Sequence, residues 1–403
     1  MQARHPDHPG LEKGAKASLP FAPHDYQDRQ DGLRDIMDLH ALDALVLTSP
    51  ESVAYATGFL CSRFGPPSAC VVTRGDCTLV SPAMDAGRAW RRSVGEVISY
   101  CDWTPDDIWQ VVASLTGTGK AIGCEADHLT LVGAEKLNTF VKPKRGMDIA
   151  PATRQQRMVK SPAELDLIRQ GAGVADIGCR AIVAAIRPGS TERDISMAGR
   201  SAMEQDIARC FPDAEYGDTW ASVQSSLNTD GAPGSVTERK LLRGDILSIG
   251  CFPTLAGYRT GVMRTAFLGE LDHASSAVWH QTIAAQDHAL GLLRPGASCA
   301  EIATKVTEFL AERDLLAYRR GSYGSGLGIL SPGFGREDAL ELREDNDTLL
   351  EAGMVVTLSI RLRVPTGQPG TGGYVEQDIC IIGEDGAERI TQAPRGPDVE
   401  MPA

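Results

Sequence analysis

Four long apolar-rich runs, near residues 245–253, 258–267, 354–364 and 374–382, follow one another in the C-terminal part of the chain with few helical stretches between consecutive members. Strands connected in this way form a largely antiparallel sheet. The helix-like stretches at 161–186, 191–206, 273–293 and 298–313 then cover one side of it. The first of these helices opens at "SPAELDLIR", where Ser161 is an N-cap, Pro162 takes the first helical position and Glu164 follows three residues after the cap, a capping box. Upstream the pattern differs. Short apolar runs, "DALVLTS", "ACVVT", "CTLVS" and "AIGCE", alternate with helical stretches such as 26–40 and 105–115, which indicates a mixed α/β domain ending near residue 150. A chain of 403 residues exceeds the size at which one core keeps growing. We therefore expect a disordered arm over 1–23, one domain over 24–150, a polar connector "PATRQQRMVK" and a second domain over 161–396.

Composition removes several function classes. A net charge of -13 with no basic cluster speaks against nucleic acid and anionic membranes as partners, since both need a basic footprint. No apolar run approaches the roughly 18 residues of a membrane span, and the N-terminus has no signal-like apolar region, so a cytoplasmic protein is expected. Ten cysteines form no CxxC pair and read as reduced, mostly buried thiols. Of the eight histidines, three fall in the helix-like stretch 273–293, and the strands and loops of the second domain hold none. Neither a Ser-His-Asp arrangement nor a histidine metal cluster can be built from those strands and loops. The glycine-rich "GSYGSGLGILSPGFG" lacks the Lys-Ser/Thr of a phosphate loop, and reads either as turns beside a pocket or as a surface loop.

Three strands repay reading by their period of two. In "VVTLSIRLRV", Val356, Leu358, Ile360, Leu362 and Val364 form an apolar side, leaving Thr357, Ser359, Arg361 and Arg363 on the other. In "YVEQDIC", Tyr374, Glu376, Asp378 and Cys380 share a side, and "YRTGVMRT" puts Arg259, Gly261, Met263 and Thr265 together. A solvated sheet face is the plain alternative for each.

"RMVKSPAELDLIR", "SLNTDGA", "RKLLRGDILSIGCFPTLAGY", "GREDALELRED", "LEAGMVVTLSI" and "GGYVEQDI", with "FLCSRFGPPSACVVT" and "AWRRSVG" nearer the N-terminus, resemble segments of the creatinases. These are amidinohydrolases of the pita-bread superfamily that also contains methionine aminopeptidase and aminopeptidase P. The resemblance runs from about residue 24 to 396. It implies an α/β N-terminal domain, an α+β pita-bread C-terminal domain, and a homodimer whose N-terminal domain reaches over the partner's active site. It also implies which positions carry function. The family's general acid-base histidine falls on Pro233, a second histidine on Ser325, and the two carboxylates that hold the guanidinium group on Met263 and Ser359. Of the five ligand positions in the metal-binding members, two aspartates fall on Gly250 and Gly261, the histidine on Ser325 and one glutamate on Ser359, leaving Glu376. One carboxylate does not hold a divalent ion, so no metal and no cofactor is expected. Phe64, Tyr258 and Arg336 match pocket-lining positions, Arg336 as a ligand of the substrate carboxylate. A second family arginine falls on Pro66, with Arg63 close by as its substitute.

Joined to the strand period, these positions place Thr357 and Arg361 beside Ser359, and Arg259 beside Met263. The pocket has then exchanged acidic clamps for neutral and basic groups, which suits a small carboxylate-bearing substrate with an apolar or aromatic body. The expectation is loss of amidinohydrolase activity and metal-independent acid–base chemistry at a C–N centre, of the Pictet-Spengler imine-cyclisation type, in specialised natural-product biosynthesis. Glu376 and Asp378 would carry protons with Tyr258 beside them. Two alternatives stand next to it: a non-catalytic ligand-binding pseudoenzyme, and a C–N hydrolase with a different water-activating carboxylate. At the level of single residues, Glu376 has the alternative of a structural ion pair with Arg264, Met263 of plain packing, and Arg259 and Arg361 of surface ion pairs.

Overall fold

Ser161 caps a helix as its surroundings in sequence require: its hydroxyl accepts the Glu164 N–H at 3.3 Å, and the Glu164 carboxylate accepts the Ser161 N–H at 3.0 Å. The computed structural model describes residues 14–62, 65–215, 217–230, 236–330 and 337–396. The chain divides into two units, Met1–Gln156 and Arg157–Ala403.

In the first unit the strands are β1 (Ala44–Leu47), β2 (Ala69–Val72), β3 (Cys77–Pro82), β4 (Glu96–Tyr100), β5 (Ala121–Cys124) and β6 (Arg145–Asp148). They form one mixed sheet in the order β4-β3-β2-β1-β5-β6. The helices are α1 (Pro23–Leu39), α2 (Pro50–Thr57), α3 (Ala86–Arg91), α4 (Asp107–Thr116) and α5 (Leu131–Phe140). Leu45 and Leu47 of β1 belong to one buried cluster and Ala44 and Val46 to another, so this strand is covered on both sides. Two expectations need correction. Residues 14–22 are not a loose arm: the Ala17 N–H donates to the Arg91 carbonyl at 2.8 Å, the Lys16 ammonium lies 3.9 Å from the centre of the Trp90 ring, and Phe21 is buried. The connector 151–160 is mostly helical, as α6 (Ala150–Met158). Its polarity hid it, because a short helix with few apolar residues has no stripe to read.

The second unit opens with α7 (Pro162–Ala185) and α8 (Glu192–Cys210) and continues through β7 (Trp220–Ser225), β8 (Ile246–Phe252), the short pair β9 (Thr254–Leu255) and β10 (Tyr258–Arg259), β11 (Val262–Phe267), α9 (His273–Leu292) and α10 (Cys299–Ala311). It ends with β12 (Gly324–Gly326), β13 (Glu337–Glu341), β14 (Val355–Val364), β15 (Gly372–Ile382) and β16 (Ala387–Arg389). Eight of these strands form a sheet in the order β13-β12-β14-β15-β11-β8-β7, with β16 beside β15. Every named pairing in it is antiparallel. Leu358, Ile360, Leu362 and Val364 of β14 enter the main core together with Trp279, Ala285 and Ala289 of α9. That side of the sheet is the helix side, and the side carrying Ser359 and Arg361 is here called the loop side. The run 258–267, read as one strand, is broken: β10 pairs with β9 and β11 begins afresh at Val262, so the period of two does not run through Thr260 and Gly261.

Candidate active site

Register brings the loop-side residues together. Ser222 of β7 is opposite Gly250 of β8, Gly250 opposite Met263 of β11, Met263 opposite Gln377 of β15, and Gln377 opposite Ser359 of β14, a single row across five strands. Residues directly opposite share a side of the sheet. Two positions along β14 from Ser359, Arg361 lies over this row: its Nε donates to the Ser359 hydroxyl at 3.1 Å, and its Nη2 donates to Gln377 Oε1 at 3.1 Å and lies 3.8 Å from the Met263 sulfur. Phe252, Met263 and Val375 pack together, with Trp220 stacked on Phe252 at 4.5 Å between ring centres. The Ser222 hydroxyl is buried and has no hydrogen-bond partner among the described residues. At the far end, Ser325 of β12 is opposite Thr357, on the side that Ser359 shares. Its other neighbour is Glu341 of β13.

Glu376 and Asp378 are on the other side. Their partners across the β14–β15 ladder are Ile360 and Leu358, both in the helix-side core. Glu376 Oε1 accepts the indole N–H of Trp279 at 2.7 Å, and Oε2 is 3.7 Å from Arg264 Nε. The pairing with Arg264, the structural alternative for this residue, is thus present beside the Trp279 hydrogen bond. Burial is the main influence on it and pushes its pKa up to about 7, against the pull of Arg264 and the Trp279 hydrogen bond. Asp378 Oδ1 accepts from Arg264 Nη2 and from the Thr391 hydroxyl, each at 2.6 Å. Tyr258 is also engaged elsewhere: its hydroxyl donates to Glu164 Oε1 at 2.5 Å, at the start of α7. Arg259 donates through Nε to the Thr254 hydroxyl at 3.3 Å and reaches Asp218 at 3.9 Å, and with the strand broken it does not share the row of Met263. The structure therefore assembles Met263, Ser359, Arg361 and Ser325 on one side, and separates Glu376, Asp378, Tyr258 and Arg259 from them. Arg63, Phe64, Pro233 and Arg336 lie outside the described residues.

Gln377, Ser222 and the Trp220–Phe252 stack escaped sequence reading. The period in "YVEQDIC" offers two sides, Glu376 with Asp378 or Val375 with Gln377, and charge favoured the first. Only the pairing of Ser359 with Gln377 selects the second.

The same row decides how far a metal would fit. Among the described residues no three His, Cys, Asp or Glu side chains stand close enough to hold an ion. A Cβ at Gly250 would come within 2.7 Å of the Phe252 ring, and one at Gly261 within 2.5 Å. With Phe252 stacked on Trp220, neither position has room for an aspartate. The donor set and the space do not fit a carboxylate-bridged metal centre.

Comparison with known proteins agrees with this architecture. Residues 29–159 match the creatinase/prolidase N-terminal domain and residues 166–384 match metallopeptidase family M24. Creatinase from Bacillus sp. (strain B-0618) is 42% identical over 389 residues, covering 96% of this chain and 95% of that protein. Xaa-Pro dipeptidase from Pyrococcus furiosus is 22% identical over 92% of this chain and 99% of its own. In structure, the dipeptidase PepE from Mycobacterium ulcerans superposes with a TM-score of 0.79 at 24% identity, over 93% of this chain and 98% of that chain. The identity to a creatinase along nearly the whole chain corrects the expected function: it supports a creatinase-like hydrolase, and overturns the expectations of lost hydrolysis, Pictet-Spengler cyclisation and a biosynthetic role. With both of its domains matched in order, the chain belongs to the creatinase/prolidase proteins of family M24.

Proposed function

We propose that this chain is a creatinase-like hydrolase that cleaves a C–N bond of a small carboxylate-bearing substrate on the loop side of its C-terminal sheet, acting as a homodimer. The 42% identity to a creatinase carries the reaction class. The site supports the substrate class. Arg361 presents a planar guanidinium suited to a carboxylate, oriented by Ser359 and Gln377. The Trp220–Phe252 stack gives an apolar wall, and the buried Ser222 hydroxyl is a hydrogen-bonding group for a substrate or a water.

Hydrolysis joins the water oxygen to carbon and sends the nitrogen away with a proton, so a proton acceptor near the water is required. Glu376 and Asp378 do not supply it from the helix side. Leu340 and Leu342 enter the helix-side core, which turns Glu341 to the loop side next to Ser325. Glu341 is buried, accepts from Arg343 Nη1 at 2.9 Å, and is assigned the water-activating role. The test is a mass-spectrometric turnover screen of wild type and Glu341→Gln with creatine, related guanidino acids and N-acyl amino acids. We expect an amine product from wild type and a loss of about 10²-fold or more in the variant at unchanged melting temperature. Absence of product across the panel overturns the hydrolase reading, whereas full activity of the variant overturns the role of Glu341 alone.

A further inference from the structure

We propose that Glu192 is a positioning residue for the site: its single carboxylate ties together both flanks of the loop that leaves β7, and so sets where that loop meets the loop side of the sheet. Glu192 is the first residue of α8, after the N-cap Thr191, and is fully buried. Oε1 accepts the Ser225 N–H and hydroxyl, both at 2.7 Å, and the Asn228 side-chain amide at 2.9 Å. Oε2 accepts the Thr237 N–H at 3.1 Å and the Thr237 hydroxyl at 2.6 Å. Oε1 thus holds the chain as it leaves the sheet, and Oε2 holds it as it returns while also accepting from the Asn228 amide at 3.2 Å. The first turn of α8 adds to the clasp, since the N–H groups of Glu192 and Arg193 donate to the carbonyls of Arg239 and Thr237 at 3.1 and 3.2 Å.

The clasp reaches the site through Thr229. The Gly373 N–H donates to the Thr229 hydroxyl at 3.0 Å, and a Cβ on Gly373 would collide with the Thr229 carbonyl. Gly373 is opposite Arg363 in the β14–β15 ladder, on the side of Val375 and Gln377. Thr229 therefore rests on the same surface as Arg361, at a point four positions along β15 from Gln377, and any slackening at Glu192 is felt there. Burial works against the Glu192 charge, but the hydrogen bonds from Thr237, Ser225 and Asn228 outweigh it and hold its pKa below the usual carboxylate range. The clasp is therefore made by an ionised carboxylate at neutral pH.

The clasp itself is independent of the reaction, and its effect on turnover rests on the hydrolase reading. Hydrogen exchange of the full-length, substrate-free chain tests the clasp. Thr237→Val removes the hydroxyl that donates to Glu192 Oε2 at 2.6 Å, together with its longer contacts from the Arg239 N–H at 3.2 Å and the Asn228 amide at 3.4 Å. We expect it to speed exchange about tenfold in peptides from both flanks, 224–230 and 236–241, while peptides from β14 exchange as in wild type. Acceleration confined to 236–241 and Asn228, or none, overturns the proposal, because Thr237 touches Asn228 directly whereas the Ser225 amide is held by the Glu192 carboxylate. Glu192→Gln should loosen both flanks further, with Glu192→Asp in its place if that variant does not fold. The kinetic arm uses whichever substrate the turnover screen yields, where Thr237→Val should lower kcat more than it raises KM. If the screen yields none, the hydrolase reading fails by itself and the exchange result still decides the clasp.

Discussion

Glu376 and Gln377 are neighbours in β15 and belong to two surfaces built on opposite terms. The helix side concentrates charge and seals it. Arg264 donates to the carbonyls of Met263, Gln377, Ala393 and Pro394 as well as to Asp378, and its side chain is 2% exposed. The loop side holds a row of neutral groups, Ser222, Gly250, Met263, Gln377 and Ser359, under the part-buried guanidinium of Arg361. The contrast shows that a charged residue at a family position is a poor guide to a site in a sheet, where adjacent residues serve different surfaces. Charge on the sealed side joins the strands, while the loop side sets the Arg361 guanidinium over neutral hydrogen-bonding groups.

The sharpest test of that division is Arg264→Leu. Removing one partner from a buried pair leaves an uncompensated charge, here Asp378, and the expected cost is about 3–5 kcal/mol by chemical denaturation. Arg264→Leu combined with Asp378→Leu should recover part of it, and a full additive loss would mean that the two residues do not act as a pair. Glu376→Gln is the next largest. Burial raises the Glu376 pKa from 4.5 to about 7, so the stability it contributes is complete below the unfolded value and is lost as pH rises through the folded one. Keeping it ionised above that point costs about 3 kcal/mol. The glutamine variant should therefore be more stable than wild type at pH 8 by up to that amount, and nearly equal to it at pH 5. Its turnover should stay close to wild type. A fall of about 10²-fold or more would return Glu376 to the acid–base role that its place in the fold denies it.

Much of this architecture is legible without coordinates. The capping box at Ser161 and Glu164, the long helices and the apolar side of β14 all declare themselves through local chemistry and periodicity, and the segment resemblance supplies the pita-bread fold. The site was legible only in part. Ser359 and Arg361 share the loop side as the period of β14 requires, whereas Met263 lies in a run that is broken at Thr260 and Gly261, and Ser325 in a glycine-rich loop that holds the short strand β12. Arg259 was misplaced because the chain turns between β10 and β11, and a two-residue strand leaves no periodic trace. Gln377 was missed for a deeper reason. Which residue of β15 faces Ser359 is a matter of register between strands, and a shift of one residue exchanges the two sides without altering either sequence pattern. A structural detail marks the spot: the Thr265 hydroxyl accepts the Val375 N–H at 2.8 Å and donates to its carbonyl at 3.1 Å, so a side chain takes the part of a backbone rung between β11 and β15.

The smallest expected effect on stability is also the one that separates the two sides most cleanly. Arg361 donates to Ser359 and Gln377 from a part-buried position, whereas Arg264 is sealed against carbonyls and a carboxylate. Arg361→Gln should shift unfolding by less than about 1 kcal/mol, as expected of a part-buried side chain outside the core. It should lower kcat/KM by about 10- to 100-fold, mainly through KM, because a charged hydrogen bond to a substrate carboxylate is made in the ground state and kept in the transition state. Arg361→Lys keeps the charge and loses the planar fork, so it should recover only a minor part of the loss. Steady-state kinetics and denaturation on the same three proteins give the answer. If Arg361→Gln unfolds as readily as Arg264→Leu while its KM is unchanged, the two arginines do one job, and the loop side is structural as well.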